Sequence, residues 1–253
     1  MMKNINLYAV LIAFIMPIQV LFADWDPGDP ALYYQTPAES DAWSVNADWG
    51  RDVPSSDTYR VADDWTAAQT SAITGISFWG GWKHDLVGQT TEIYVRIFNN
   101  DTSTPGFFKP GQCVWSCLVN PGEYTHRRYN YDSQDQIWYE PQSDYWFAND
   151  HRYMYQYNIP VISSPFVQHA GLTYWLMITA NVEGGDWGWN TAQTVTGSSA
   201  VYWNNSISDW SPLMTPSGYQ DPQAPLDLAF VLVPEPAMLL LLGLGGLFLR
   251  RKK

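Results

Sequence analysis

Basic residues are scarce in this chain: 13 Lys and Arg stand against 25 Asp and Glu, a formal net charge of −12 over 253 residues. A nucleic-acid binder needs a basic footprint, so that class is excluded. There are two cysteines, too few for a disulfide scaffold. The four histidines, His84, His126, His151 and His169, are scattered and complete no zinc set with those cysteines at a familiar spacing. No helical period of useful length, internal repeat or low-complexity linker runs through the middle of the chain. There is no Gly-x-Ser-x-Gly elbow, His-Glu-x-x-His pair, phosphate loop or dinucleotide fingerprint. Aromatic residues, by contrast, are abundant at 16%, with 14 tryptophans. That content excludes a disordered acidic tail, which lacks the surface needed to offset ordering entropy.

The two ends differ from the middle. Residues 1–23 hold Lys3, an apolar stretch from Leu7 to Phe22 broken by Pro17, and Ala23 before the acidic Asp24-Trp25-Asp26. This order reads as a secretory signal peptide with a signal helix; the alternative is an N-terminal membrane anchor, which Pro17 makes short. The other end runs Val233-Pro234-Glu235-Pro236, then 13 apolar residues from Ala237 to Leu249, then Arg250-Arg251-Lys252-Lys253. As a short apolar helix that run reaches about 20 Å, against a hydrocarbon core of ~30 Å. The basic end is expected to stay cytoplasmic, which leaves the middle exported. A transmembrane helix here, anchoring the chain in the inner membrane before processing, is the expectation.

Together, Val-Pro-Glu-Pro, the short apolar run and the basic end resemble the PEP-CTERM sorting signal. That resemblance implies recognition at Pro234, Glu235 and Pro236, with Arg250 and Arg251 in the basic stop. The agent implied is an exosortase, an integral-membrane cysteine protease, and the destination is the cell surface or the medium. The alternative is an ordinary tail anchor with a chance Pro-Glu-Pro.

Without these ends, residues 24–233 carry 24 acidic and eight basic residues, a net charge of −16, and all 14 tryptophans. Proline and glycine punctuate short runs rich in β-branched and aromatic residues, the pattern of an all-β, single antiparallel sandwich of jelly-roll or immunoglobulin-like type. Predicted strands are 59–65, 73–82, 92–98, 112–118, 124–131, 136–139, 153–159, 172–182, 187–190, 200–203 and 226–233. Residues 24–58, rich in Asp, Pro and Ser, read as an extended lead across the surface. The domains expected are a signal peptide at 1–23, a β-sandwich at 24–232 and a sorting segment at 233–253. Blocks such as Ala62-Asp63-Asp64-Trp65, Ile73 to Trp82, Gly171 to Leu176, Trp187-Gly188-Trp189 and Leu226 to Phe230 are similar, in their order, to an uncharacterised β-sandwich family of exported planctomycete-type proteins. That likeness implies the fold and no mechanism.

Candidate chemistry is thin. Cys113 and Cys117 on one strand face would lie about 13 Å apart, beyond the ~7 Å that a disulfide allows. Free, mostly buried thiols are favoured; a tight local bridge is the alternative if the strand breaks. Asp63 and Asp64 point to opposite faces of a strand, so they read as a strand-end pair, one bonded to backbone and one solvated. Calcium is conceivable at such carboxylates, but no complete loop motif appears, and no cofactor is expected. Trp187 and Trp189 share a strand face, with Trp203 and Trp210 close in sequence. Such flat rings suit a sugar platform, and equally a sandwich core. The readings are therefore a non-catalytic exported surface or matrix protein, a carbohydrate-binding module acting on exopolysaccharide, and, third, a glycoside hydrolase, for which no nucleophile or metal is evident.

Overall fold

Alternating apolar residues along short segments build two stacked sheets. The computed structural model describes residues 24–38, 42–48, 59–129, 135–220 and 222–235. The strands are β1 (Tyr33–Gln35), β2 (Trp43–Asn46), β3 (Val61–Thr66), β4 (Ser71–Trp82), β5 (Gln89–Thr104), β6 (Phe107–Val119), β7 (Thr125–Arg128) and β8 (Gln136–Glu140). They continue as β9 (Tyr145–His151), β10 (Met154–Ile159), β11 (Phe166–Gln168), β12 (Thr173–Glu183), β13 (Trp187–Asn190), β14 (Val201–Asn204), β15 (Asp209–Pro212) and β16 (Phe230–Pro234). One sheet has ten strands along the path β1-β16-β4-β13-β2-β8-β9, with β10 and β11 branching from β4 and β7 pairing with β10; the other runs β15-β14-β3-β12-β5-β6.

The core lies between the sheets. From the ten-stranded sheet come Trp43, Val45, Phe78, Trp187, Trp189, Phe230 and Leu232; from the six-stranded sheet come Val61, Trp65, Ile93, Val95, Ile97, Leu176 and Ile178. Each large apolar side chain so buried contributes about 1.5–3 kcal/mol of transfer free energy, which makes this layer the main source of stability. Strand β12 is buried on both faces, as its continuous apolar run predicts: Leu176 and Ile178 face inward, while Trp175 and Met177 join Ala62, Val201 and Trp210 on the outside. The all-β, two-sheet reading therefore stands.

Four expectations are corrected. First, the antiparallel rule breaks at β2, which pairs parallel with β8. Second, the supposed surface lead supplies β1 and the wholly buried β2. Trp25 is also buried, against Trp79, Met154 and Val231 on the outside of the ten-stranded sheet. Third, the cysteines are free, but Cys113 is exposed and Cys117 half-buried. A register slip between Ile97 and Phe98 pairs Cys117 with the core residue Val95 and Cys113 with Phe98 of the outer cluster, so the bulge puts the two on different faces. Fourth, no helix among the described residues is long and apolar enough to cross a membrane. The transmembrane helix and inner-membrane anchorage are withdrawn: no described helix spans, and the 13-residue apolar run, about 20 Å as a helix, is too short for a ~30 Å hydrocarbon core. The signal helix at 1–23 and the C-terminal helix at 237–249 lie outside the described residues.

Candidate functional site

The most chemically loaded corner of the fold is built around β9 and the turn that leaves β4. Tyr145 and Phe147 pair with Glu140 and Trp138, so they share the outer face of the ten-stranded sheet. Beyond Phe147 the register slips, and Asn149 adopts a left-handed φ of 56°. This bulge turns Asp150 and His151 into the sheet. His84 and Asp85 beside it are also left-handed, with φ of 58° and 54°. Asn, Asp and His are the non-glycine residues that adopt this region most readily, so the three together form a tight, irregular turn at this corner.

A chain of polar contacts runs through this corner from the sheet interior toward solvent. Ser44 Oγ lies 2.7 Å from His151 Nε2, and His151 Nδ1 lies 2.9 Å from Asp150 Oδ2. The other carboxylate oxygen of Asp150 is 2.7 Å from Nδ1 of His84, whose side chain is 49% exposed, and the His84 amide donates to Asp150 Oδ2. Burial alone would raise the Asp150 carboxyl. The bonds from His151 and from the His84 amide outweigh burial and hold it below its ordinary value.

Ser44, His151 and Asp150 thus stand in the order used for acyl transfer: hydroxyl, imidazole, carboxylate. Access is what they lack. Ser44 is 0% exposed, and Asn190 Nδ2 donates to its Oγ at 3.2 Å. Gly81 packs so closely that a Cβ there would fall 2.4 Å from both Ser44 Oγ and His151 Nε2. No acyl group fits between them, so the chain of bonds serves to fill hydrogen-bonding capacity inside the sheet. Sequence reading missed it because Ser44 and His151 are 107 residues apart, with no motif joining them.

A second cluster is acidic. Asp63, Asp64 and Asp227 are all buried, which corrects the expectation of one solvated member. Asp63 accepts from Gln35 Nε2, the Leu228 amide and the Asp64 amide; Asp64 accepts from the Ser198 amide; Asp227 accepts from the Thr196 and Ala200 amides. Burial pushes Asp64 up to about 7 and Asp227 up to about 6. Asp63 is raised well above the ordinary carboxylate value by burial and by Asp227. Among the described residues no group of three or more His, Cys, Asp or Glu is arranged to hold a metal.

The aromatic candidates separate. Trp187 and Trp189 do share a face, but it is the core face, where they are 1% and 0% exposed. Trp189 Nε1 donates to the Ala229 carbonyl at 2.8 Å. Trp203 and Trp210 form an edge-to-face pair, centroids 5.6 Å apart, on the outside of the other sheet. These four rings make no common platform, because a sugar needs exposed faces and the sandwich uses the first two as filling.

Of the sorting residues, Pro234 ends β16 and its carbonyl accepts from Thr74 Oγ1 at 3.0 Å, while Glu235 is exposed. Pro236, Arg250 and Arg251 lie outside the described residues. Residues 232–253 match the PEP-CTERM protein-sorting motif. That motif makes this an exported, cell-surface type of protein processed by an exosortase. The chain matches no curated protein and no solved structure. Residues 31–233, which include both sheets and the two polar clusters, match the domain of unknown function DUF7901, and the chain belongs to that family.

Proposed function

We propose that the exported body is a non-catalytic surface domain whose chemistry-bearing side chains work for the fold. The observation that carries this is the sealed state of Ser44: a hydroxyl with a catalytic-looking imidazole and carboxylate behind it, closed off by Gly81. The expected boundary between a sandwich at 24–232 and a sorting segment at 233–253 falls inside β16, so under this reading the last residues of the strand, Val233 and Pro234, serve both the sheet and the motif. A serine-directed fluorophosphonate probe tests it. The full chain is expected to show no labelling at Ser44, and Ser44→Ala to lower the melting temperature by several degrees, since a buried imidazole nitrogen and Asn190 lose a partner at about 1–3 kcal/mol. Labelling at Ser44 would overturn the proposal.

A further inference from the structure

We propose that the corner formed by Tyr145, Phe147 and His84 is a binding site for a neutral polysaccharide. Tyr145 and Phe147 are 45% and 46% exposed, unlike the tryptophans of the core, and project two residues apart from one face of β9. The rings of His84 and Phe147 stand at 87° to each other with centroids 5.8 Å apart, so their exposed surfaces make a corner. His84 Nδ1 lies 2.7 Å from Oδ1 of Asp150, whose side chain is 0% exposed, while the His84 side chain itself is 49% exposed. Lys83 Nζ lies 5.7 Å from the Tyr145 ring centre. It is itself held by Glu140 at 2.8 Å, so the cation is a fixed part of the corner.

Exposed aromatic faces beside a half-exposed imidazole and an ammonium group suit a ligand with an apolar C–H face and a rim of hydroxyls, which is a sugar ring. The net charge of −16 on residues 24–233 selects among sugars. A polyanionic chain would be repelled by that field, while a neutral one would not.

Affinity electrophoresis and calorimetry of the full chain with cellohexaose, mannohexaose, chitohexaose and alginate test the site. At least one neutral hexaose is expected to bind. Tyr145→Ala and Phe147→Ala are each expected to weaken that binding about tenfold while the melting temperature stays unchanged, because both rings are half-exposed. His84→Ala should weaken it as well, and alginate should not bind. The proposal is overturned if no neutral hexaose binds, if both ring variants bind as the parent does, or if alginate binds as well as the neutral chains. It is also overturned if the full chain forms a dimer that Phe147→Ala dissolves, since the corner would then belong to a second copy.

Discussion

Asp63, Asp64 and Asp227 show how far a side chain's surroundings can depart from its sequence pattern. Alternation along β3 does send Asp63 and Asp64 to opposite faces, opposite Leu176 and Trp175 of β12. What a sequence cannot display is the segment around Asp227 and the 196–200 loop closing over both. These carboxyls make stability depend on pH with an unusual sign. Asp64 and Asp227 titrate at about 7 and about 6 in the fold, against 3.8 as the ordinary value. Over that window the folded chain holds more protons than the unfolded one, so their contribution is full below about pH 4 and is lost as pH rises through 6 to 7. The expected drop in stability between pH 5 and pH 8 is on the order of 2 kcal/mol, or about 4–8 °C in melting temperature. Asp64→Asn keeps an oxygen for the Ser198 amide and should flatten this dependence. A melting temperature that rises from pH 5 to pH 8 in the parent, or an unchanged slope in the variant, would contradict the assignment.

At the scale of elements, β4 organises the ten-stranded sheet. It pairs with β16 and β13 along one edge and with β10 and β11 along the other. Gly80 and Gly81 near its end let two different things approach. A Cβ on Gly80 would fall 2.4 Å from the Trp187 ring, while Gly81 admits Ser44 and His151 on the opposite face. Trp187 is 1% exposed and cannot swing away, so Gly80→Ala is expected to cost at least about 3 kcal/mol, read as a lower denaturation midpoint. A loss below about 1 kcal/mol would mean that the ring relaxes. Long strands such as β4 and β12 were legible because their apolar runs outweigh local noise. Strand β2 was not: its four residues sit in a stretch whose Asp, Ser and Pro content reads as loop, and its parallel partner β8 is some ninety positions away. The corner at β9 was hidden for a related reason. A bulge decides which side chains turn inward there, and a bulge leaves no periodicity to find.

For the whole molecule, the net charge of −16 on the exported body reads first as a soluble outer surface, yet three of its carboxylates are buried in one cluster. The acidic exterior disfavours polyanionic partners, and the basic residues at the C-terminus belong to the sorting segment. The junction between body and segment is tight. β16 lies between β1 and β4, its last residue Pro234 is bonded to Thr74, and Glu235 is the first exposed residue after it. A cut before Val233 would remove residues from a strand paired on both edges, so the mature C-terminus is expected at position 234 or beyond, as intact-mass measurement can show. Glu235 makes no strand pairing, so Glu235→Gln leaves the sheet untouched and isolates recognition from folding. Losing one carboxylate from a protease contact should slow processing about tenfold or more, with full-length precursor accumulating on immunoblots. Truncation after Glu235 should abolish recognition while the sandwich still folds, because β16 is complete without residues 236–253. Processing of Glu235→Gln at the parental rate would show that the protease reads the prolines and the basic end alone.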